Sequence, residues 1–116
     1  MVHKGSCHCG RIAFEVEGDL TQVIECNCSH CDRKGYLLWF VPKAQFKLTT
    51  RASDAAVYTF NKHVIQHHFC DKCGCAPFGL GKDPKGAETA AINVRCLPEV
   101  DRSKLKVVPF DGRNKL

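Results

Sequence analysis

The sequence predicts an all-β fold made of short strands. Strand candidates recur about every 8–12 residues with turn residues between them, which is typical of all-β proteins. The two helical candidates, Ser29–Lys34 and residues 99–104, are too short to be stable without packing against other elements. A chain of 116 residues suits one domain, spanning residues 1–116, with a modest core.

The first predicted strand has the clearest pattern. Residues 11–17 alternate, with Ile12, Phe14 and Val16 on one face, and Gly18-Asp19 ends the strand. The apolar run of residues 37–41 is followed by Pro42, as expected at a strand end. The remaining predicted strands cover residues 22–25, 37–41, 46–49, 56–60, 64–69, 89–94 and 105–108.

Composition and charge exclude several classes of protein. Hydrophobic content of 44% and charged content of 25% are ordinary for a globular protein. No stretch approaches 18 apolar residues, so no membrane span is expected, and the N-terminus lacks the apolar core of a signal peptide. We therefore expect an intracellular, cytoplasmic protein. The net charge of +5 is spread along the chain, which argues against nucleic acid as a partner.

Seven of the nine cysteines fall into three tight clusters. These are Cys7-His8-Cys9, Cys26-Asn27-Cys28-Ser29-His30-Cys31 and Cys70-Asp71-Lys72-Cys73. In a reducing compartment, cysteines at such short spacings are better explained as metal ligands than as disulfides. The remaining two, Cys75 and Cys96, are expected to be small buried residues.

The two cysteine pairs predict one closed, structural zinc site. Cys70-x-x-Cys73 followed by Gly74 is the pattern of a zinc knuckle, in which glycine permits a turn with positive φ. Its alternative, a redox motif, needs a βαβ context that this sequence lacks. Cys7 and Cys9 would lie on one face of an extended strand, so both sulfurs could reach the same ion.

The triplet Cys26, Cys28 and Cys31 predicts a second zinc site with three ligands. An open fourth position could bind water or a substrate thiol, and zinc would hold that thiol as a thiolate at neutral pH. The alternative is a second closed site, completed by Cys75, Cys96 or a histidine. His30 lies inside the triplet and is either a proton carrier beside the metal or a solvent-facing turn residue.

Two further groups of side chains have open interpretations. Four aromatic residues either line a pocket or belong to the core: Trp39, Phe40, Tyr58 and Phe78. His67 and His68 are expected to point to opposite faces of a strand, one packed or hydrogen-bonded and the other facing solvent.

The three clusters, in this order, together with Ile92-Asn-Val-Arg-Cys-Leu97, resemble the glutathione-dependent formaldehyde-activating enzyme family, which includes centromere protein V-like domains. The resemblance implies antiparallel sheets folded into a β-tent. It also implies a structural zinc on Cys7, Cys9, Cys70 and Cys73, and a catalytic-type zinc on Cys26, Cys28 and Cys31. The activity implied is the formation or cleavage of the carbon–sulfur bond of S-hydroxymethylglutathione.

Two hypotheses of different classes follow. In the first, the protein is a zinc-dependent carbon–sulfur lyase that acts on a thiol–aldehyde adduct, holds two zinc ions and has a small thiol such as glutathione as partner. In the second, it is a zinc-stabilised module that binds protein or nucleic acid without turnover. The fourth position at the triplet distinguishes them, because a protein ligand there would leave no room for a substrate.

Overall fold

The computed structural model describes residues 1–60, 65–83 and 85–115. This part of the chain contains ten strands and two short α-helices. The helices are α1 (Ser29–Lys34) and α2 (Gly112–Lys115). The all-β prediction is therefore confirmed. The strands are β1 (Val2–Ser6), β2 (Ala13–Glu17), β3 (Gln22–Cys26), β4 (Leu38–Pro42), β5 (Phe46–Leu48), β6 (Ala55–Tyr58), β7 (Gln66–Cys70), β8 (Phe78–Lys82), β9 (Glu88–Asn93) and β10 (Lys106–Phe110).

The strands form two sheets. One has three strands in the order β1-β2-β5, and the other has seven in the order β10-β3-β4-β9-β8-β7-β6. Neighbouring strands are antiparallel, as predicted, except that β10 runs parallel to β3, with Phe110 beside Cys26. A parallel pair needs a long connection, and here six strands lie between the two in sequence.

The core contains the apolar faces of both sheets. Ile12, Phe14 and Val16 are at most 1% exposed, which confirms the alternation predicted for this strand. The Phe14 ring lies 5.5 Å from that of Phe46 and 6.0 Å from that of Phe78, measured between centroids. Packing of this kind joins the three-stranded sheet to β8 in the larger sheet.

Two strands were not predicted. β1 reads Val-His-Lys-Gly-Ser and lacks apolar alternation, whereas β8 reads Phe-Gly-Leu-Gly-Lys, in which two glycines weaken the strand signal. Gly5 is required by close packing, because a Cβ there would lie 2.8 Å from the backbone oxygen of Cys96. Both strands are held by pairing with neighbours rather than by their own propensity.

The helix predicted for residues 99–104 is wrong for most of its length. Only Arg102–Lys104 form a single 3-10 turn, in which the Asp101 side chain accepts a hydrogen bond from the Ser103 N–H. The helix predicted at Ser29–Lys34 is confirmed. The strand predicted for 64–69 corresponds to β7. Residue 64, the first of the predicted strand, lies outside the described residues.

Over the described ranges, no helix has both the length and the apolar character needed to cross a membrane.

Candidate metal centres and the adjoining pocket

The four cysteines of the two pairs converge at one place. Their sulfurs all lie within 4.8 Å of one another, with 3.7 Å between Cys7 Sγ and Cys9 Sγ and 3.5 Å between Cys9 Sγ and Cys70 Sγ. Zinc–thiolate bonds of about 2.3 Å in a tetrahedron would separate the sulfurs by about 3.8 Å. The donor set and its spacing therefore fit a tetrahedral zinc ion, with Cys73 as the fourth ligand.

Turns on two different sheets supply this cluster. Cys7 follows β1 in the three-stranded sheet, and Cys70 is the last residue of β7 in the seven-stranded sheet. Cys73 follows in a turn that Gly74 closes at φ 83°, donating its N–H to the Cys70 carbonyl at 2.9 Å, as predicted for a knuckle. A metal held here would tie the two sheets together.

The extended conformation predicted for Cys7 and Cys9 is wrong. β1 ends at Ser6, and Gly10, at φ 84°, donates its N–H to the Cys7 carbonyl at 3.2 Å. The pair thus lies in a tight turn. This turn and the one after Cys70 together supply the four sulfurs.

Backbone N–H groups favour the thiolate form of two cysteines of this cluster. The N–H groups of Lys72 and Cys73 donate to Cys70 Sγ, each at 3.4 Å, and the Cys73 donor is the main reason that the pKa of Cys70 is lowered. For Cys73, the N–H groups of Cys75 and Cys9 lower the pKa to about 5. Ligands to zinc must be deprotonated, so these donors prepare Cys70 and Cys73 for metal.

The triplet forms a second cluster, and all three cysteines are only 7–8% exposed. Cys26 ends β3, Cys28 is the N-cap of α1 and Cys31 lies within that helix. Their sulfurs lie within 4.8 Å of one another. The Cys28 N–H donates to Cys26 Sγ at 3.4 Å and the Cys31 N–H to Cys28 Sγ at 3.3 Å, so the strand end and the helix start fix the sulfurs.

The three thiols of the triplet differ in acidity. Burial is the largest influence on all three and raises the pKa of Cys26 and of Cys31. At Cys28 burial is outweighed by hydrogen bonds, first from the Cys31 N–H, and the pKa is lowered. Cys28 is therefore the first thiol of the triplet to become a thiolate.

No fourth ligand joins the triplet among residues 1–60, 65–83 and 85–115. Cys75 packs against the main core, and burial raises the pKa of Cys96 to about 12. Both are partly buried rather than fully buried as expected. Closure of the site by either cysteine, or by a described histidine, is not supported, and His63 lies outside the described residues.

A pocket of about 340 Å³ adjoins the triplet. Tyr36, Phe69 and Ala76 belong both to the pocket wall and to the side chains packed around the three cysteines. The rest of the wall comes from α1, β6 and β7: His30, Lys34, Tyr58 and His67. None of the three cysteines lines the pocket, so a molecule there would contact the side chains that pack around the triplet.

His30 lies in the pocket wall and is partly buried, so the interpretation as a solvent-facing turn residue is wrong. Its ring centroid is 4.4 Å from that of His67 and 5.4 Å from that of Tyr58. Nδ1 is buried and has no hydrogen-bond partner in the part of the chain described. Burial, and then the Lys34 charge, lower the pKa of His30 and favour a neutral imidazole.

Of the four aromatic candidates, only Tyr58 lines the pocket. Trp39 and Phe78 are core residues, and Phe40 is 48% exposed. The sequence reasoning missed Tyr36 and Phe69, although the spacing of His67 and Phe69 places both on one face of β7. Alternation along β7 could have identified this wall.

The expectation that one of the two adjacent histidines faces solvent is wrong. His67 lines the pocket, where burial lowers its pKa to about 4. His68 stacks on Phe78 with 4.7 Å between ring centroids, and both histidines are partly buried. Both histidine side chains are therefore partly shielded from solvent.

A hydrogen-bonded clasp connects the triplet loop to the C-terminal segment. The Asn27 side chain donates to Asp111 Oδ1 at 3.0 Å and accepts from the Arg113 N–H at 3.0 Å. The Arg113 guanidinium also lies 3.5 Å from an Asp32 carboxylate oxygen. These partners are 84 and 86 residues from Asn27, and no sequence motif indicated them.

Comparisons with known proteins agree with this geometry. The sequence model of the family described as "Glutathione-dependent formaldehyde-activating enzyme" matches residues 2–109. The chain is also similar to the crystal structure of a Rhodobacter sphaeroides protein, with a TM-score of 0.78 and 29% sequence identity. That match covers 91% of this chain and 97% of the other.

Proposed function

The chain belongs to the glutathione-dependent formaldehyde-activating enzyme family, and from this premise we propose that it is a zinc-dependent carbon–sulfur lyase acting on a thiol–aldehyde adduct of the S-hydroxymethylglutathione type. One observation carries the proposal: three buried cysteine sulfurs converge beside a pocket, and no fourth ligand is present among the described residues. That arrangement is what a catalytic zinc site needs, since such sites keep one position for water or substrate.

The two clusters have different roles in this proposal. Cys7, Cys9, Cys70 and Cys73 would hold a structural zinc that joins the sheets. Cys26, Cys28 and Cys31 would hold the second zinc, which lowers the pKa of a substrate thiol and stabilises it as a thiolate. The buried N–H donors to Cys26 and Cys28 orient these ligands.

His30 is the residue best placed to move a proton. In the cleavage direction, its neutral imidazole would accept the proton of the adduct hydroxyl while the carbon–sulfur bond breaks and the aldehyde leaves. In the condensation direction, the same proton would return to the new hydroxyl. Tyr36 and Phe69 would exclude water from the reacting carbon.

A non-catalytic binding module for protein or nucleic acid is the competing function. It would require no open metal position and no adjoining pocket. Both features are accounted for by an enzyme of this class, with a small thiol such as glutathione as partner and no need for nucleic acid.

Titration of the zinc-loaded protein with glutathione tests the proposal. We expect one thiol per chain by calorimetry, loss of that binding in Cys28→Ser, and retention of it in Cys96→Ser, a cysteine outside both clusters. Formaldehyde release from S-hydroxymethylglutathione should follow the same order. A protein that holds two metal ions but binds no thiol would contradict the proposal.

A further inference from the structure

The wall of the pocket has a chemical character that bears on which adduct fits it. Tyr36, Tyr58 and Phe69 contribute aromatic rings, and the imidazoles of His30 and His67 lie among them. A tripeptide such as glutathione carries two carboxylates, an ammonium and two amides. Polar groups that lose water against such a wall without gaining partners cost free energy.

Among the residues that line the pocket, Lys34 is the one lysine or arginine. Lys34 Nζ lies 5.7 Å from the centre of the Phe69 ring, at the pocket edge. No carboxylate of the described residues is within ion-pair distance of it. The Lys34 charge disfavours a cationic ligand in the aromatic pocket and is available to a single anionic group.

We propose that the pocket selects adducts of a small thiol that carries one apolar or aromatic arm and one carboxylate. The arm packs against Tyr36, Tyr58 and Phe69, the carboxylate pairs with Lys34, and the sulfur reaches the triplet. This inference deepens the proposed function and rests on it, because it assumes that a thiol binds at the triplet.

A set of three thiols tests the selectivity by calorimetry on the zinc-loaded protein. The probes are 4-(sulfanylmethyl)benzoate, with ring and carboxylate, phenylmethanethiol, with the ring alone, and glutathione. We expect the benzoate to bind about fivefold more tightly than phenylmethanethiol, the upper range for an exposed ion pair. Glutathione should bind roughly tenfold more weakly than the benzoate, since it buries less apolar area against the rings.

Two variants separate the charge from the aromatic wall. Lys34→Met keeps the length of the side chain and should remove the advantage of the benzoate while leaving phenylmethanethiol unchanged. Tyr58→Ala should weaken both aromatic thiols by a similar factor. In NMR spectra, the ring signals of His30 and His67 should shift with both aromatic probes, which would place the arm in this pocket.

The outcomes distinguish this inference from the proposed function. Tightest binding by glutathione, or equal weakening of both aromatic thiols by Lys34→Met, would overturn the selectivity and leave a thiol-binding enzyme. Absence of binding by all three thiols, in a protein that retains both metals, would overturn the proposed function and with it the selectivity.

Discussion

At the scale of single residues, Cys70 and Cys28 differ in what their sulfurs connect. Cys70 is fully buried and its sulfur meets that of Cys9 across 61 residues of sequence. The Cys28 sulfur lies near those of Cys26 and Cys31, within six residues of sequence, and Cys28 is also the N-cap of α1. Serine is a favoured N-cap, so Cys28→Ser removes a ligand while keeping the helix start.

Cys70→Ser should therefore destabilise the fold more than Cys28→Ser. We expect the melting temperature of Cys70→Ser to fall by roughly 10 °C or more, since 1 kcal/mol shifts a domain of this size by about 4–8 °C. Cys28→Ser should mainly lose one metal ion and thiol binding. Thermal melts with metal analysis measure both effects, and equal melting temperatures in the two variants would contradict the division of roles.

A second residue-scale prediction concerns two glycines in strands. Gly5→Ala places a Cβ 2.8 Å from the backbone oxygen of Cys96, which must move, whereas the nearest atom to a Cβ at Gly79 is 3.5 Å away. We expect Gly5→Ala to cost roughly 1–3 kcal/mol of unfolding free energy. Gly79→Ala should be neutral within about 0.5 kcal/mol. Denaturant unfolding measures both, and similar losses would show that Gly5 is not constrained by packing.

At the scale of elements, the clasp positions the loop between β3 and α1. Asn27 and Asn114 both donate to the Asp111 carboxylate, and these bonds lower its pKa, with Asn114 the larger cause. Only Asn27 lies inside the triplet. Asn27→Ala removes the side-chain bonds of the clasp to the triplet loop, whereas Asn114→Ala leaves them intact.

Asn27→Ala should accordingly release metal from the triplet about fivefold faster to a chelator, the effect of losing roughly 1 kcal/mol of hydrogen bonding. Asn114→Ala should release it at the rate of the unmodified protein. Stopped-flow chelation with a chromogenic dye provides the rates. Identical rates in the two variants would mean that the clasp does not support the metal loop.

The pocket wall on β7 predicts a pH dependence of stability. Because burial lowers the pKa of His67 to about 4, the folded protein keeps this imidazole neutral while the unfolded chain protonates it near pH 6.5. The unfolded state then binds more protons, so this contribution lowers stability as the pH falls from about 6.5 towards 4.

When the pH is lowered from about 7 to about 5, the melting temperature of His67→Phe should therefore fall less than that of the unmodified protein. His8→Gln, which alters an exposed histidine, should keep the full loss. Comparing the three proteins at matched metal content at each pH isolates the contribution of His67. A loss in His67→Phe as large as in the unmodified protein would refute the assignment.

At the scale of the whole molecule, the four-cysteine cluster joins the two sheets, which also pack against each other through Phe14 and Phe78. We expect two zinc ions per chain by metal analysis, one for each cluster. Removal of both by a strong chelator should abolish the near-ultraviolet circular dichroism of the core aromatics, because metal binding contributes to folding. A metal content near zero in a folded protein with freely titrating thiols would exclude both sites.

Much of the site could be predicted because its ligands are grouped in sequence. The spacing of Cys26, Cys28 and Cys31, and the Cys70-x-x-Cys73-Gly74 pattern, each describe a local conformation. Tyr36, Lys34 and the clasp at Asp111 could not be predicted in the same way. They reach the site through strand pairing and packing between distant segments, and local sequence patterns carry no information about such contacts.

The fold shows the same division. The alternation of Ile12, Phe14 and Val16 predicts β2 because its side chains meet both a core and a surface. In β1 and β8 this signal is weak, because glycine is unfavourable in strands and pairing with neighbouring strands decides the conformation. The parallel pairing of β10 with β3 is likewise set by a connection too long for sequence pattern to reveal.

The spacing of the ligands along the chain also has a consequence in time. Cys26, Cys28 and Cys31 lie within six residues, so an unfolded chain can capture zinc there before any sheet exists. The other site needs Cys9 and Cys70, 61 residues apart, to meet, and that loop closes only as the sheets assemble. We therefore expect metal uptake in two phases during refolding. The triplet binds zinc first, and the four-cysteine site binds zinc last, when the two sheets have assembled.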